Sequence, residues 1–446
     1  MSEPHTGMTR RDFVKISSGL LAGSALGGPL LSPLRGMTVP GGSDRLRVGL
    51  IGCGGRGTGA ALQALAADPG AVLYAMGDAI ADRLEGSLAQ ITGALGQPAE
   101  EGRRSGTLSQ LDVAPERRFA GFDAYRRVID ECDVVLLTEP PHFRPAHLRA
   151  AVEAGRHIFC EKPLAVDAAG VRSALESSAL AGEKGISLVS GFCWRYSTRE
   201  RETMGRVHRG EIGPVRAVYT TYNAGGWIEP KPRKPEWSDT EFQLRNWHYF
   251  TWLSGDHIVE QACHSLDKIA WAMNGALPAR CTAVGGRQTR PDTPETGNVF
   301  DHFSATFEYA DGARAFHMCR HFPATPFDNS DYIMGAEGVC RIDGWTRTHE
   351  ITGARPWRCE SPANNMYQQE HDELFASIRA GAPMNDGVWA CHSTLMAVMV
   401  RLAAYSGQTV TWEQALNSAE DLTPPSYEWG ELPVAPVARP GLTKLV

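Results

Sequence analysis

The stretch Arg47-Val-Gly-Leu-Ile-Gly-Cys-Gly-Gly-Arg-Gly57 decides the fold. A short apolar run, Val48 to Ile51, passes into Gly52-x-Gly54-x-x-Gly57. A helix-forming run, Ala60-Ala-Leu-Gln-Ala-Leu-Ala-Ala67, follows. In that strand–turn–helix context the three glycines read as a dinucleotide fingerprint. Gly52 permits the tight turn, Gly54 lets the backbone approach a pyrophosphate, and Gly57 lets helix and strand pack closely. Gly52, Gly54, Gly55, Arg56 and Gly57 are thus the expected phosphate-binding loop. The helix N-terminus adds free N–H groups and the positive end of its dipole. A second strand, Ala71 to Asp78, ends in a carboxylate 26 residues beyond Gly52. A carboxylate there suits the ribose hydroxyls of NAD and repels the 2′-phosphate of NADP. Arg83 is the nearest following cation, so NADP stays open as the alternative.

The βα alternation continues downstream. Helices are predicted over Ala81–Thr92, Phe122–Ile129, Ala146–Ala154 and Ala168–Ala181. Strands are predicted over Asp133–Thr138, His157–Cys160 and Ile186–Ser190. Residues 96–116 read as a polar loop. Alternating strands and helices imply a doubly wound parallel sheet, a Rossmann domain over residues 44–191. Beyond Phe192 the pattern changes to alternating strands at Val215–Tyr222, Phe303–Tyr309 and Ala313–Met318, the last two forming a hairpin across Ala310-Asp-Gly312. Residues 192–446 are therefore expected to form an α+β domain with a largely antiparallel open sheet that carries the substrate site.

The N-terminus reads Thr9-Arg10-Arg11-Asp12-Phe13-Val14-Lys15, followed by a weakly apolar run broken by Gly27, Gly28, Pro29 and Pro33. Residues 1–43 thus look like a twin-arginine export signal and linker. That route carries folded proteins, often with cofactor aboard, and implies a periplasmic or other extracytoplasmic location. The translocase is then a partner during export.

The chain has 446 residues, enough for two or three domains, with 42% hydrophobic and 21% charged residues. A net charge of −7 with no basic block beyond the signal gives no support to nucleic-acid binding. No transmembrane helix is expected after the signal. The 10 cysteines show no C-x-x-C pair and read as reduced thiols.

Glu161-Lys162-Pro163 follows a strand about 110 residues after the glycine loop, and Gly255-Asp-His-Ile-Val-Glu-Gln-Ala-Cys-His-Ser-Leu-Asp267 lies further on. With the fingerprint, these motifs resemble the glucose–fructose oxidoreductase / inositol dehydrogenase (Gfo/Idh/MocA) family, and its exported members in particular. The resemblance implies a Rossmann domain plus a C-terminal α/β domain whose open sheet often mediates homo-oligomers. The implied activity is hydride transfer between a sugar or polyol carbinol and a tightly held nicotinamide cofactor, NAD or NADP.

It also implies roles. Lys162 sits near the nicotinamide, where a cation stabilises an alkoxide and polarises a carbonyl. Glu161 is expected to pair with it. His264 is the acid/base. Glu260, four residues earlier, would share a helix face with it and orient the imidazole. Glu stands where the family commonly has Asp, and Ala262 replaces a second histidine of close relatives. Thr138, Pro141 and His142 belong to the loop over the nicotinamide ribose; Arg144 there replaces a common histidine. Arg195, Tyr196, Trp247, His248 and Asp267 are candidates for substrate contact, with core packing an equal alternative for the aromatics. Asp256, His257, Glu260 and His264 lack the spacing of a metal site, so none is expected. Two other readings stay open: a redox-neutral NAD-dependent glycoside hydrolase, and a non-catalytic, nucleotide-retaining sugar-binding protein.

Overall fold

A computed structural model describes residues 44–98, 105–226, 229–344, 346 and 348–446. The proposed export segment lies outside the described residues.

The first domain is a six-stranded, all-parallel sheet in the order β3-β2-β1-β4-β5-β6. Its strands are β1 (Leu46–Ile51), β2 (Ala71–Asp78), β3 (Arg118–Ala120), β4 (Val134–Leu137), β5 (His157–Cys160) and β6 (Leu188–Ser190). β4 reads Val-Val-Leu-Leu with every residue buried, as a strand covered on both faces requires. The order reverses at β1/β4, so the carboxyl ends of these strands open the crevice where such sheets bind ligands. Helices Gly55–Ala67, Ala81–Leu95, Ala124–Glu131, Arg144–Glu153 and Ala168–Glu183 cover its faces. The Arg144–Glu153 helix starts two residues before the predicted Ala146, because Pro145 fits a first turn whose N–H groups are unpaired anyway.

The second domain is a nine-stranded sheet in the order β14-β13-β12-β11-β7-β10-β9-β8-β15. The strands are β7 (Val215–Ala224), β8 (Arg280–Gly286), β9 (His302–Glu308), β10 (Arg314–His321), β11 (Ser330–Gly335), β12 (Gly338–Asp343), β13 (Thr348–Gly353), β14 (Trp357–Arg358) and β15 (Val410–Thr411). β9 and β10 form the predicted hairpin, with Gly312 at φ 87° in its turn. The sheet is antiparallel except that β7 runs parallel to β10. One face packs on the buried helix Gly387–Ser406. That helix is apolar enough to span a membrane by composition, but 83% of its most apolar window is buried in this core. The opposite face carries exposed Val284, Phe316 and Met318.

The chain does not divide cleanly at residue 192. Helix Met366–Ala380 returns to the Rossmann sheet, where Leu374 and Phe375 join its core. Arg379 donates to Asp68 at 2.7 and 2.8 Å. All ten cysteines are free thiols, nine of them buried.

Candidate functional site

The glycine loop is shaped by what a side chain would strike. Gly52 has φ +90°, and a Cβ there would lie 2.3 Å from Glu139 N. A Cβ at Gly57 would lie 2.0 Å from Gly52 O and 2.6 Å from Thr138 Oγ1. Gly54 and Gly55 face open space. Two glycines thus close the turn while two leave a surface a diphosphate can approach. The Thr138 hydroxyl is engaged with the loop itself, donating to Ile51 O and Gly52 O (2.9 and 2.7 Å) and pinning it.

Asp78 accepts from Cys53 N at 2.7 Å and Ile80 N at 2.8 Å. It lines an apolar cavity with Gly52, Ile80, Phe122, Phe143 and Glu139. Burial raises its pKa, and the two backbone N–H groups oppose that rise. Arg83 donates to Leu244 O and Arg245 O (3.3 and 3.2 Å), tying the Rossmann domain to the segment across the cleft. A cleft of about 390 Å³ lies beside the loop, between Gly54 and Gly55 on one side and Lys231, Trp247 and His248 on the other, with Arg83 in its wall. Open glycines, facing cations and a carboxylate at the end of β2 are a donor set that fits a dinucleotide.

Arg56 is placed otherwise than the fingerprint suggested. Its side chain turns away from the loop's open face and donates to Glu161, to Gln63 (2.7 Å) and to Glu370 (2.6 Å). Its guanidinium also stacks over Phe159 and Tyr367. Glu161 is correspondingly committed: one oxygen takes Arg56 and the other accepts from Lys162 N at 3.0 Å. The expected Glu161–Lys162 side-chain pair is not formed. Lys162 Nζ instead donates to the backbone carbonyl of Glu260 at 2.6 Å. Arg144 holds this turn from beneath, donating to Pro163 O and Glu139 O, both at 2.6 Å. Its sequence signal was only an arginine where a histidine is common.

Glu260 and His264 do not share one continuous helix. The segment splits into helices His257–Glu260 and Cys263–Ala272, with Gln261 at φ −121°, ψ −59° between them. Both side chains nevertheless sit by Lys162. Burial pushes the Glu260 carboxyl up to about 7, against the pull of the Lys162 ammonium. Burial holds the His264 imidazole well below its usual range, reinforced by Lys162 and Lys268. His264 is therefore neutral at pH 7, held so by burial first and by Lys162 and Lys268 second. Its Nδ1 is buried without a hydrogen-bond partner, and the ring packs edge-on to Phe192. His248 stacks on Trp247 with ring centroids 3.7 Å apart; burial, then Lys162, lowers its pKa to about 3.

Three candidates lie apart from this group. Arg195 forms a two-pronged pair with Asp267 (2.9 and 2.8 Å), sandwiched between Trp271 and Trp389. Asp267 also accepts from Ser393. The Tyr196 hydroxyl donates to buried Asp386. Arg195 also lines a separate cavity with His208, Trp271 and Trp389.

Several residues escaped sequence reasoning. Gln261, Arg290 and His321 line a cavity that adjoins the cleft, together with His257, weighed above only as a metal ligand, and with Glu260 and His248. Tyr427 and Trp429 fold back over the nucleotide side. The Tyr427 hydroxyl meets His142 Nε2 at 2.8 Å, and Trp429 packs on Phe122 at 4.8 Å. Gly430 O and Leu432 O accept from Thr240 N and Gln243 Nε2, fastening this segment to the other wall. Their distance in sequence, beyond residue 420, left no local signal. Pro141 lies in the same turn, whose His142 N donates to Leu253 O.

A glycine-loop crevice at the carboxyl edge of a parallel sheet, with the lysine after β5 of that sheet meeting the Glu260 and His264 segment of an open-sheet domain, defines a two-domain nicotinamide-dependent oxidoreductase architecture. Residues 46–192 match the description "Oxidoreductase family, NAD-binding Rossmann fold", and residues 201–341 match the "GFO/IDH/MocA C-terminal domain". The chain belongs to the Gfo/Idh/MocA family. Inositol 2-dehydrogenase 3 of Saccharopolyspora erythraea is 25% identical over 294 residues, 63% of this chain and 77% of that protein. 2,7-Anhydro-N-acetylneuraminate hydratase of Escherichia coli is 24% identical over 218 residues, 47% of this chain and 51% of that protein. Among solved structures, the aldose-aldose oxidoreductase of Caulobacter crescentus complexed with glycerol aligns with TM-score 0.63 and 22% identity, covering 82% of this chain and 99% of that one. Levoglucosan dehydrogenase in complex with NADH and levoglucosan gives TM-score 0.64 at 19% identity, with the same coverages.

Proposed function

We propose that this protein oxidises a CH–OH carbon of a sugar or polyol derivative with a firmly retained NAD. The observation that carries the reading is the grouping of Lys162, at the carboxyl end of β5, with Glu260 and His264: its Nζ donates to the Glu260 carbonyl and its charge acts on both side chains. NAD, when bound, supplies the hydride acceptor. The chain's residues do the rest. The Lys162 ammonium steadies the reacting oxygen as it gains negative charge. The neutral His264 imidazole accepts the hydroxyl proton. Ionised Glu260 balances Lys162, so oxidation weakens as pH falls below about 7 and this carboxyl is protonated. Tyr427 and Trp429, bridging both walls, slow nucleotide escape.

Names among the relatives support a carbohydrate-like substrate, and the hydratase adds a second reading in which hydride returns to the product with no net redox change. Under that reading a glycoside or anhydro-sugar is cleaved or hydrated while the nucleotide ends oxidised. Titrating purified holoprotein with sugars, polyols and glycosides while following reduced-nicotinamide absorbance tests both. Lasting reduction indicates net oxidation; product without lasting reduction indicates the redox-neutral cycle. Binding without either would leave the sugar-binding reading.

The sequence of residues 9–15 supports export of the loaded protein by the twin-arginine translocase. Arg10→Lys with Arg11→Lys should trap a nucleotide-bearing precursor in the cytoplasm, and undiminished export in a translocase-deficient cell would overturn this. The apolar outer face at Val284, Phe316 and Met318 supports homo-oligomers. Sedimentation of Phe316→Glu against the parent checks that.

A further inference from the structure

The carboxyl edge of the parallel sheet carries a second carboxylate beside Asp78. Glu139 follows β4 just as Asp78 ends β2, and the strand order puts the two on either side of the β1 glycine turn. The Glu139 backbone abuts that turn, where a Cβ at Gly52 would lie 2.3 Å from its N. Its side chain, in a residue only 5% exposed, shares a cavity with Asp78. Oε1 meets His147 Nδ1 at 3.0 Å, and Oε2 is buried with no hydrogen-bond partner among the described residues. Arg144 donates to the Glu139 backbone carbonyl and to Pro163 O. The cavity is otherwise apolar. Phe122, Phe143, Ile80 and Pro140 line it, and Tyr427 and Trp429 pack over Phe122 with ring centroids 6.0 and 4.8 Å away. Lys162, Glu260 and His264 are not among the described residues that line it, so it lies apart from the reacting group.

Resting on the NAD-retaining reading above, we propose that this cavity takes the adenine ring and that Glu139 reads its exocyclic amine, which donates to Oε2. A buried acceptor without a donor is costly. Among aromatic walls it suits a ligand that is apolar on its faces and donates from its edge. Adenine is such a ring. The ribose hydroxyls are met by Asp78 at the end of β2. The nicotinamide amide, the dinucleotide's other amino donor, belongs at the Lys162 end. Glu139 is then a specificity-determining group for the 6-amino purine. A 6-oxo purine would set a carbonyl against the carboxylate, acceptor against acceptor, in a desolvated wall, and such a mismatch discriminates strongly.

The test is a competition for the retained nucleotide. Holoprotein is exchanged to equilibrium against equal concentrations of NAD and nicotinamide hypoxanthine dinucleotide, whose base carries the 6-oxo group. The bound nucleotides are then separated and quantified by chromatography. The parent should retain NAD over the analogue by roughly 10- to 100-fold, the range for one hydrogen bond to a charged group. Glu139→Gln keeps the shape and offers an amide that can accept from the amine or donate to the oxo group. The margin should therefore fall to near parity or reverse, a change of ratio that a merely structural role would not produce. Melting temperature shows that the variant is folded, and the parent comparison stands without it. Equal retention of both nucleotides by the parent overturns the inference while leaving the NAD-retaining reading intact. A full margin kept by folded Glu139→Gln does the same. Retention of neither nucleotide defeats that reading, and the inference with it.

Discussion

The two walls of the cleft are built on different plans. The nucleotide wall is largely backbone from one contiguous stretch: Gly52 turns the chain, Gly54 and Gly55 leave it bare, and Thr138 locks it from the next strand. The substrate wall is side chains from separate segments: Lys162 after β5, Trp247 and His248, Glu260 and His264, then Arg290 and His321. Backbone recognition suits a ligand common to many enzymes, because any sequence that makes the turn makes the site. Side-chain recognition changes with single substitutions, so specificity resides there.

The largest expected effect separates architecture from binding within the nucleotide wall. Arg56→Ala leaves Glu161 and Glu370 buried without their shared counter-charge. Loss of one partner in a buried ionic cluster costs about 3–5 kcal/mol. Denaturant unfolding should show that loss, while nucleotide affinity of the folded fraction stays nearly constant. A large affinity loss at unchanged stability would return Arg56 to the phosphate site.

Next come the chemical groups. Lys162→Ala and His264→Ala should each lower turnover by roughly 100-fold or more, the range for losing a general acid–base or oxyanion-stabilising group. Nucleotide content should be unchanged, because neither side chain belongs to the glycine loop. Full turnover in His264→Ala would move the proton to another group, with His248 the nearest candidate.

The segment bridging both walls should have a kinetic signature of intermediate size. Tyr427→Ala with Trp429→Ala removes the His142 and Phe122 contacts. Nucleotide release should accelerate by about 10-fold, in line with the loss of one charge-neutral hydrogen bond and an aromatic contact. An unchanged release rate would show that retention is set within the Rossmann domain alone.

The smallest effect is a shift in pH dependence. Oxidation by the parent should fall as pH drops through about 7, where Glu260 takes up a proton. Glu260→Gln should abolish that limb at modest cost in rate, and His264→Ala should keep it in its residual activity. A limb lost only in His264→Ala would assign it to the imidazole, contrary to the depression that burial, Lys162 and Lys268 impose there.

Legibility in the sequence followed the same division. The parallel sheet was readable because each βα unit is local: the apolar run at Val48, the helix after Gly57 and the carboxylate at Asp78 all carry short-range signals. The β9–β10 hairpin was readable from Asp311-Gly312 for the same reason. The parallel pairing of β7 with β10 was not, since about ninety residues separate them and nothing local fixes which strands meet. At the site, Lys162, Glu260 and His264 could be named, but their relations were misjudged. Four-residue spacing implied one helix face, whereas the chain breaks at Gln261, and Lys162 found a carbonyl rather than a carboxylate. The mutual pairing of Arg195 and Asp267 between Trp271 and Trp389 is visible only in three dimensions.

The direct test is a single-turnover comparison of NAD-loaded parent and Lys162→Ala proteins, each mixed with a panel of sugars, polyols and sugar acids under reduced-nicotinamide detection. The account predicts rapid reduction of the bound nucleotide by at least one panel member in the parent and roughly 100-fold slower reduction in the variant. Equal rates in the two proteins would contradict it, as would ligand binding by both with no reduction and no turned-over product in either.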